Sequence, residues 1–145
     1  MTWKKIEKQI HDSWDDKILK WYEHNTRRFY VDIDPKDLVA FGRFLFEDLQ
    51  ARFIIASGVD TPRGVIEVLY HFDFYQLSVV LSVRVALKKP KPAVESLAGV
   101  IKGTEWIERE INELLGVTFQ NHPDMRHLIL PDDWPKGNYP LRRDQ

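Results

Sequence analysis

The clearest pattern in the chain is a strict two-residue alternation near its middle. Leu77, Val79, Leu81, Val83, Val85 and Leu87 fall on one side of an extended chain, and Val80, Ser82, Arg84 and Ala86 on the other. This predicts a strand with one core side and one partly polar side. Val65–Phe74 precedes it as a second strand, and the short polar link Asp73–Gln76 predicts a hairpin. Earlier, Phe29, Val31 and Ile33 alternate within a strand over Arg28–Ile33, with a companion strand over Ile18–Glu23. A short strand over Arg52–Ala56 leads into the loop signal SGVDTPRG at 57–64.

Three stretches change to helical spacing. Trp3, Ile6 and Ile10 predict a short amphipathic helix over 3–11. Asp34-Pro35 opens a second, over 35–50, with Asp34 as cap and Pro35 at the first helical position. Leu38, Phe41, Leu45 and Leu49 repeat along it, and Gly42 offers close packing. The third runs over 105–115, with Thr104 as a candidate cap and Gly116 as its stop. Its stripes place Glu110 near the packed side and Glu108 and Glu113 outward. The expected architecture is α/β (α+β). A mixed or antiparallel sheet packs with helices in one domain over 1–130, followed by an extended arm over 131–145.

KKPKP at 88–92 is a seam between sheet and C-terminal section, and Ser96–Val100 reads as a small helical turn. After Leu130, three prolines, one glycine and few aliphatics cannot build a core of their own. Trp134, Tyr139 and Leu141 nevertheless stand out as anchors. A free tail is one reading; a tail laid along a protein partner is the other, and the anchors favour it.

Composition narrows the chemistry. The chain has 145 residues, 43% of them hydrophobic, enough for one domain with a core. Its net charge of -1 gives no electrostatic case for nucleic acid. In the locally basic C-terminal section, Asp124, Asp132, Asp133 and Asp144 interleave with Arg126, His127, Arg142 and Arg143. There is no cysteine, which removes disulfides, cysteine-held iron–sulfur clusters and a cysteine nucleophile. The N-terminus is charged too early for a secretory signal, and no apolar run is long enough to span a bilayer. Phosphate-loop and dinucleotide glycine motifs are absent.

The densest stretch is Glu108–Leu130. His122, Asp124 and His127 offer one candidate metal set, against a hydrogen-bonded turn built on His122-Pro123. Glu108, Arg109 and Glu110 offer a candidate acid/base pair, but adjacent helix positions point apart. Arg109 and Glu113, one turn apart, read as a modest surface pair. A buried carboxylate paired with Arg126 across the turn is the favoured reading, and it is structural.

Glu108-Arg109-Glu110, Leu114-Leu115-Gly116-Val117, Phe119, His122-Pro123-Asp124, Arg126 and Leu130 together resemble the signature of the 30-kilodalton subunit of complex I, the respiratory NADH:quinone oxidoreductase. Asp132-Asp133-Trp134, Pro140-Leu141-Arg142-Arg143-Asp144 and, upstream, Gly58-Val59-Asp60, Glu67, Tyr70-His71-Phe72, Pro92, Ser96 and Trp106 follow the same order. The likeness covers roughly residues 28–144. SGVDTPRG with VLYHF looks closer to the related subunits of membrane-bound, energy-converting NiFe hydrogenases. Two positions depart from the family pattern: Asn112 stands where an aromatic is usual, and Glu113 where aspartate is usual.

The resemblance implies a non-catalytic assembly subunit on the peripheral arm, on the cytoplasmic side of the membrane. It implies no cofactor or metal in this chain, with a NiFe centre and iron–sulfur clusters in partner subunits. Those partners are a large catalytic or quinone-site-type subunit and iron–sulfur subunits. It further implies that Glu108, Arg109, Glu110, Gly116, His122, Pro123, Asp124, Arg126, Trp134, Leu141, Arg142 and Arg143 form a structural or partner-binding motif. A stand-alone acid/base hydrolase, a small metalloprotein and a general adaptor domain are the rival classes.

Overall fold

The computed structural model describes residues 1–144; Gln145, the last residue of the expected arm, lies outside the described residues. A five-stranded sheet forms the base of the fold. Its strands are β1 (Ile18–Asn25), β2 (Arg28–Ile33), β3 (Arg52–Asp60), β4 (Val65–Phe74) and β5 (Val79–Lys88), in spatial order β1-β2-β5-β4-β3. β2 runs parallel to β5 and the other pairings are antiparallel, so the sheet is mixed. A separate parallel pair joins β6 (Ala93–Glu95) to β7 (Thr118–Gln120).

Alternation decides which side is the core. Ile66, Val68, Tyr70, Phe72 and Phe74 of β4 are buried, as are all five of the odd-numbered residues of β5 from Val79 to Leu87. The helices pack on this side. From α1 (Trp3–Trp14), the Trp3 ring meets Phe29 and Phe74 at 4.8 and 5.4 Å. From α2 (Leu38–Arg43), Phe41 meets Trp14 at 5.1 Å. From α3 (Glu105–Leu115), Ile111 and Leu115 lie over Gly58 of β3. The opposite face carries Tyr30, Ser82, His71 and Ile55 in one cross-strand row and remains partly exposed.

Several elements differ from expectation. The first helix continues to Trp14. The second is built in three hydrogen-bonding registers: a 3-10 turn over Pro35–Asp37, then α2, then a π-helical turn over Phe44–Asp48. Leu38, Phe41 and Leu45 stay buried throughout, so apolar spacing alone cannot separate the registers. Asp34 caps its start, accepting from the Lys36 amide at 2.9 Å. Gly42 does permit close approach: a Cβ there would lie 2.8 Å from Leu97 Cδ2.

Ser57–Asp60 belongs to β3 and not to the loop, because Gly58 is the place where α3 rests directly on the sheet. The β4–β5 link is a 3-10 turn over Tyr75–Leu77, so Leu77 leaves the strand. The turn near 96–100 is a single hydrogen-bonded one, with Ile101 N–H donating to the Leu97 carbonyl at 2.8 Å.

The last residues lack regular structure but return to the domain. The Leu141 amide donates to the Leu114 carbonyl at 2.9 Å, and the Arg143 amide to Asp60 Oδ2 at 2.7 Å. Arg142 is buried between them.

The Gly58 contact gives a direct test. A Cβ at this position would stand 2.5 Å from Leu115 Cδ1 and 3.2 Å from Ile111 Cγ2. Gly58→Ala is expected to lower stability by about 2 kcal/mol through overpacking. The expected reading is a lower urea midpoint at unchanged slope.

Candidate functional site

Helix α3 forms where expected. Glu105 and Glu108 favour its positive end, and Gly116, at φ +74°, ends it with its amide on the Asn112 carbonyl at 2.8 Å. Thr104 occupies the cap position, but its hydroxyl donates back to the Ile101 carbonyl at 2.9 Å instead of capping the helix. The helix is buried on two sides: one lies on the sheet, and the other lies under the protein's own segment 126–130.

This second layer reverses the expected facing of the acids. Glu108 points inward with no solvent exposure, Glu113 is buried, and Glu110 is only partly covered. Three donors meet the Glu108 carboxylate: the Tyr70 hydroxyl at 2.5 Å, the Ser96 hydroxyl at 2.5 Å and the Leu97 amide at 3.0 Å. Burial pushes its pKa up, opposed by the Ser96, Tyr70 and Leu97 hydrogen bonds. The Tyr70 phenol is pushed well above its ordinary range by burial and by the neighbouring carboxylate.

Arg109 and Glu113, one turn apart, bind the returning segment from its two kinds of backbone group. Arg109 donates to the carbonyls of Arg126 and His127 at 2.9 and 2.8 Å. Glu113 accepts from the amides of Leu128 at 3.0 Å and Ile129 at 2.6 Å, and from His127 Nδ1 at 3.0 Å. A longer contact of 3.4 Å reaches the Leu130 amide. Burial alone would raise the Glu113 pKa; the Ile129 and Leu128 amides, with His127, outweigh it and hold it below the ordinary carboxylate range.

His122 is a strut. Its Nδ1 accepts from the Asp124 amide at 3.0 Å, so the ring proton sits on Nε2 and is donated to the Glu105 carbonyl at 2.8 Å. The nearby Glu108 oxygen, at 3.9 Å, is therefore no ion-pair partner of a charged ring. Pro123 follows as part of this turn. With His122 engaged on both nitrogens and His127 on Glu113, the candidate metal set fails. Among the described residues no group of three histidine, aspartate or glutamate side chains is placed to hold a metal.

Arg126 does not hold a buried carboxylate. Its side chain is 80% exposed and pairs with Asp124, two residues away, at 2.6 Å. That guanidinium draws the Asp124 pKa down to about 2. Charge on a two-residue turn is satisfied locally, and the reach across to the helix is made by Arg109.

The C-terminal residues complete the site. Arg142 donates to the Leu115 carbonyl at the end of α3 at 2.9 Å, to the Pro90 carbonyl at 3.2 Å, and pairs with Asp144 at 2.9 Å. Gly116 accommodates this seat: a Cβ there would lie 2.5 Å from the Tyr139 ring. Buried Asp60 draws in both the Arg143 amide and Lys89, the latter at 2.5 Å. Trp134 is half-buried and donates to the Asn138 carbonyl at 2.8 Å, while Leu141 is 57% exposed. Trp106 (67%), Ile129 (59%) and Leu128 are also exposed on α3 and the segment it holds. The family resemblance includes Tyr70, Ser96 and Asp60, but the sequence does not reveal what they do, nor the role of Glu113. The Arg109–Glu113 spacing is visible in the sequence, but spacing alone does not tell a surface pair from two side chains under a second layer.

Glu108 and Glu113 are separable by substitution. Glu108→Ala strands three buried donors and is expected to cost about 4 kcal/mol, a fall of roughly 10 °C in melting temperature. Glu108→Gln is expected to stay within about 1.5 kcal/mol of the parent, because the Ser96 hydroxyl can turn to accept from the new amide. For Glu113, the lowered pKa contributes stability above the unfolded value and loses it as pH falls through the folded one. Glu113→Gln is expected to be less stable than the parent at pH 7. The gap should narrow below about pH 4 in urea titrations repeated at stepped pH.

Known proteins resemble this chain in sequence and in fold. A family model for the 30 Kd subunit of respiratory-chain NADH dehydrogenase matches residues 31–145. A subunit of the F(420)H(2) dehydrogenase of Methanosarcina mazei is 40% identical over 119 residues, 81% of this chain and 73% of that protein. A subunit of the NADH-quinone oxidoreductase of Chloroherpeton thalassium is 38% identical over 117 residues, 78% of this chain. This chain spans about half (47%) of that relative's length. One polypeptide in the structure of the membrane-bound sulfane sulfur reductase, an archaeal respiratory membrane complex, superposes with a TM-score of 0.85. That superposition covers 97% of this chain and 84% of the other at 23% identity, a likeness of fold. The chain belongs to the family of the 30 Kd subunit of respiratory-chain NADH dehydrogenase.

Proposed function

We propose that this chain is an assembly subunit of a membrane-bound, energy-converting oxidoreductase of the hydrogenase type, and that its α3 platform holds the large catalytic subunit. One observation carries the reading. Trp106, Leu128, Ile129 and Leu141 present large apolar surface, with the backbone of Leu128 and Ile129 held by Glu113 and that of Leu141 by the Leu114 carbonyl. Rigid exposed apolar anchors with polar neighbours are the pattern of a protein interface. Trp134 and the residues between 131 and 140 extend the same surface.

In this reading the reaction belongs to the complex. A NiFe centre and iron–sulfur clusters reside in partner subunits, and this chain fixes the position of a neighbouring redox site. No helix among the described residues is long and apolar enough to cross a membrane, so attachment is proposed through the complex, on the cytoplasmic side. The identity to the F(420)H(2) dehydrogenase subunit supports a second reading, a complex I-like dehydrogenase with a different electron donor and no nickel.

Native mass spectrometry of the complex purified gently from its own cells, with nickel and iron analysis of the same particle, tests both. Nickel with iron is expected; iron alone moves the assignment to the second reading. A chain recovered without partners overturns both. Within that particle, Trp106→Glu with Ile129→Asp is expected to weaken assembly at least tenfold. The melting temperature of the isolated chain should change by less than about 3 °C.

A further inference from the structure

The helices cover one face of the sheet, and the platform described above lies on their side. The other face has a built feature of its own. At the centre of the row Ile55–His71–Ser82–Tyr30, the His71 ring is held between two hydroxyls from neighbouring strands. Ser82 Oγ lies 2.7 Å from Nδ1, and Ser57 Oγ lies 3.1 Å from Nε2. A surface pocket of about 270 Å3 opens beside the ring, lined by Arg28, Tyr30, Ile54, Ile55, Val80 and Ser82.

Arg28 is the one formally charged side chain in that lining, and among the described residues no carboxylate comes within ion-pair distance of it. The face has other charges, and four of them are engaged with one another. Arg84 binds Asp32 at 3.0 Å and Glu67 at 3.4 Å, and Arg63 binds Glu67 at 2.9 Å. Lys20 from β1 and Asp73 from β4 also stand on this face, and Arg52 from β3 sits over the Tyr75 ring. Of all these, Arg28 is the charge that acts on His71. The rim is apolar: Ile54, Ile55 and, one strand beyond Tyr30, Tyr22 are exposed.

We propose that this face is a second docking surface, on which Arg28 and His71 receive a carboxylate from an acidic segment of another polypeptide. Three properties select that occupant. The cation without a partner calls for an anion. The volume falls below the roughly 300 Å3 at which small-molecule sites begin. The surrounding exposed aliphatic and tyrosine side chains suit a peptide backbone and its apolar neighbours, with the charge pair setting register.

The hydroxyl clamp lets the His71 ring take either charge state. A hydroxyl can donate or accept, so the ring can be neutral, or can take a second proton from solvent with both serines accepting. In the free chain, burial and then Arg28 hold the His71 pKa below the ordinary histidine value. A carboxylate seated there opposes both effects and raises it. Docking therefore takes up a proton and strengthens as pH falls, until pH drops below the free-state pKa.

The test uses the full chain in its own complex. A photo-crosslinking benzoylphenylalanine replaces Ile55, and the crosslinked peptide is identified by mass spectrometry. The expected partner segment contains an aspartate, a glutamate or a terminal carboxylate. Arg28→Glu is then expected to weaken retention of that partner about tenfold, and a reciprocal acid-to-lysine change in the partner should restore it. Retention is expected to tighten about threefold from pH 8 to pH 6. His71→Asn, which keeps partners for both serines, should abolish that pH dependence.

A crosslinked segment without a carboxylate, or an Arg28→Glu variant that assembles normally, overturns the proposal. So does an absence of crosslinks in which inorganic phosphate alone shifts the His71 resonances, since that marks a small-anion site. The inference is separable from the proposed function. A chain recovered alone overturns both, whereas an intact complex with no Ile55 crosslink to another polypeptide overturns this one only.

Discussion

A carboxylate taken wholly out of water must be surrounded by donors, and Glu108 sets the terms for the C-terminal half of the molecule. Its donors come from two places: Tyr70 on strand β4, and Ser96 and the Leu97 amide from the turn after β6. One side chain on α3 thereby fixes the helix against the sheet and draws the 96–101 turn to both. Leu97 then fills the space over Gly42 of α2. A hydrocarbon at residue 108 could fill the same volume, but it would not specify which strand residue and which turn meet the helix. The charge costs desolvation and supplies register.

Glu113 performs the complementary task on the outer side. Extended backbone at 126–130 has no strand beside it to satisfy its amides. A carboxylate accepts several of them at once, while Arg109 takes the carbonyls on the same segment. Two helix residues one turn apart thus stand in for a missing strand. The longer side chain of glutamate, where aspartate is usual in the family resemblance, reaches three consecutive amides with its two oxygens.

This double burial explains which parts of the structure are legible in the sequence. The β4 and β5 strands are legible because alternation and burial coincide over Val65–Phe74 and from Val79 to Leu87. The span of α3 is legible from Thr104 before it and Gly116 after it, although the Thr104 side chain does not cap the helix. Its facing is not, because stripe counting treats charge as solvent-facing, and here Glu108, Arg109 and Glu113 are the buried positions. The reach assigned to Arg126 belongs to Arg109 for the same reason. Ser57–Asp60 reads as loop because Ser, Gly and Asp punctuate turns in general. Their value here depends on α3, which lies more than forty residues further along the sequence. Family likeness identifies the important residues, but it does not say which way they point.

The C-terminal arm shows what this arrangement means for binding. A tail with so few aliphatics, read alone, would fold only on a partner and would lose ordering entropy at that moment. Here both its ends are already held. Glu113 fixes it at Leu128–Leu130, and the Leu114 and Leu115 carbonyls, Pro90 and Asp60 fix it at Leu141–Arg143. The intervening residues form a closed arch over α3, braced by the Trp134–Asn138 hydrogen bond. For the partner proposed above, this arch would be a surface already close to its bound shape. More of the apolar contact at Trp106, Ile129 and Leu141 then appears as affinity, and less is offset by ordering. The burial of Arg142 ties helix and arm together: it bonds the last carbonyl of α3, and in doing so it holds the arm against the domain.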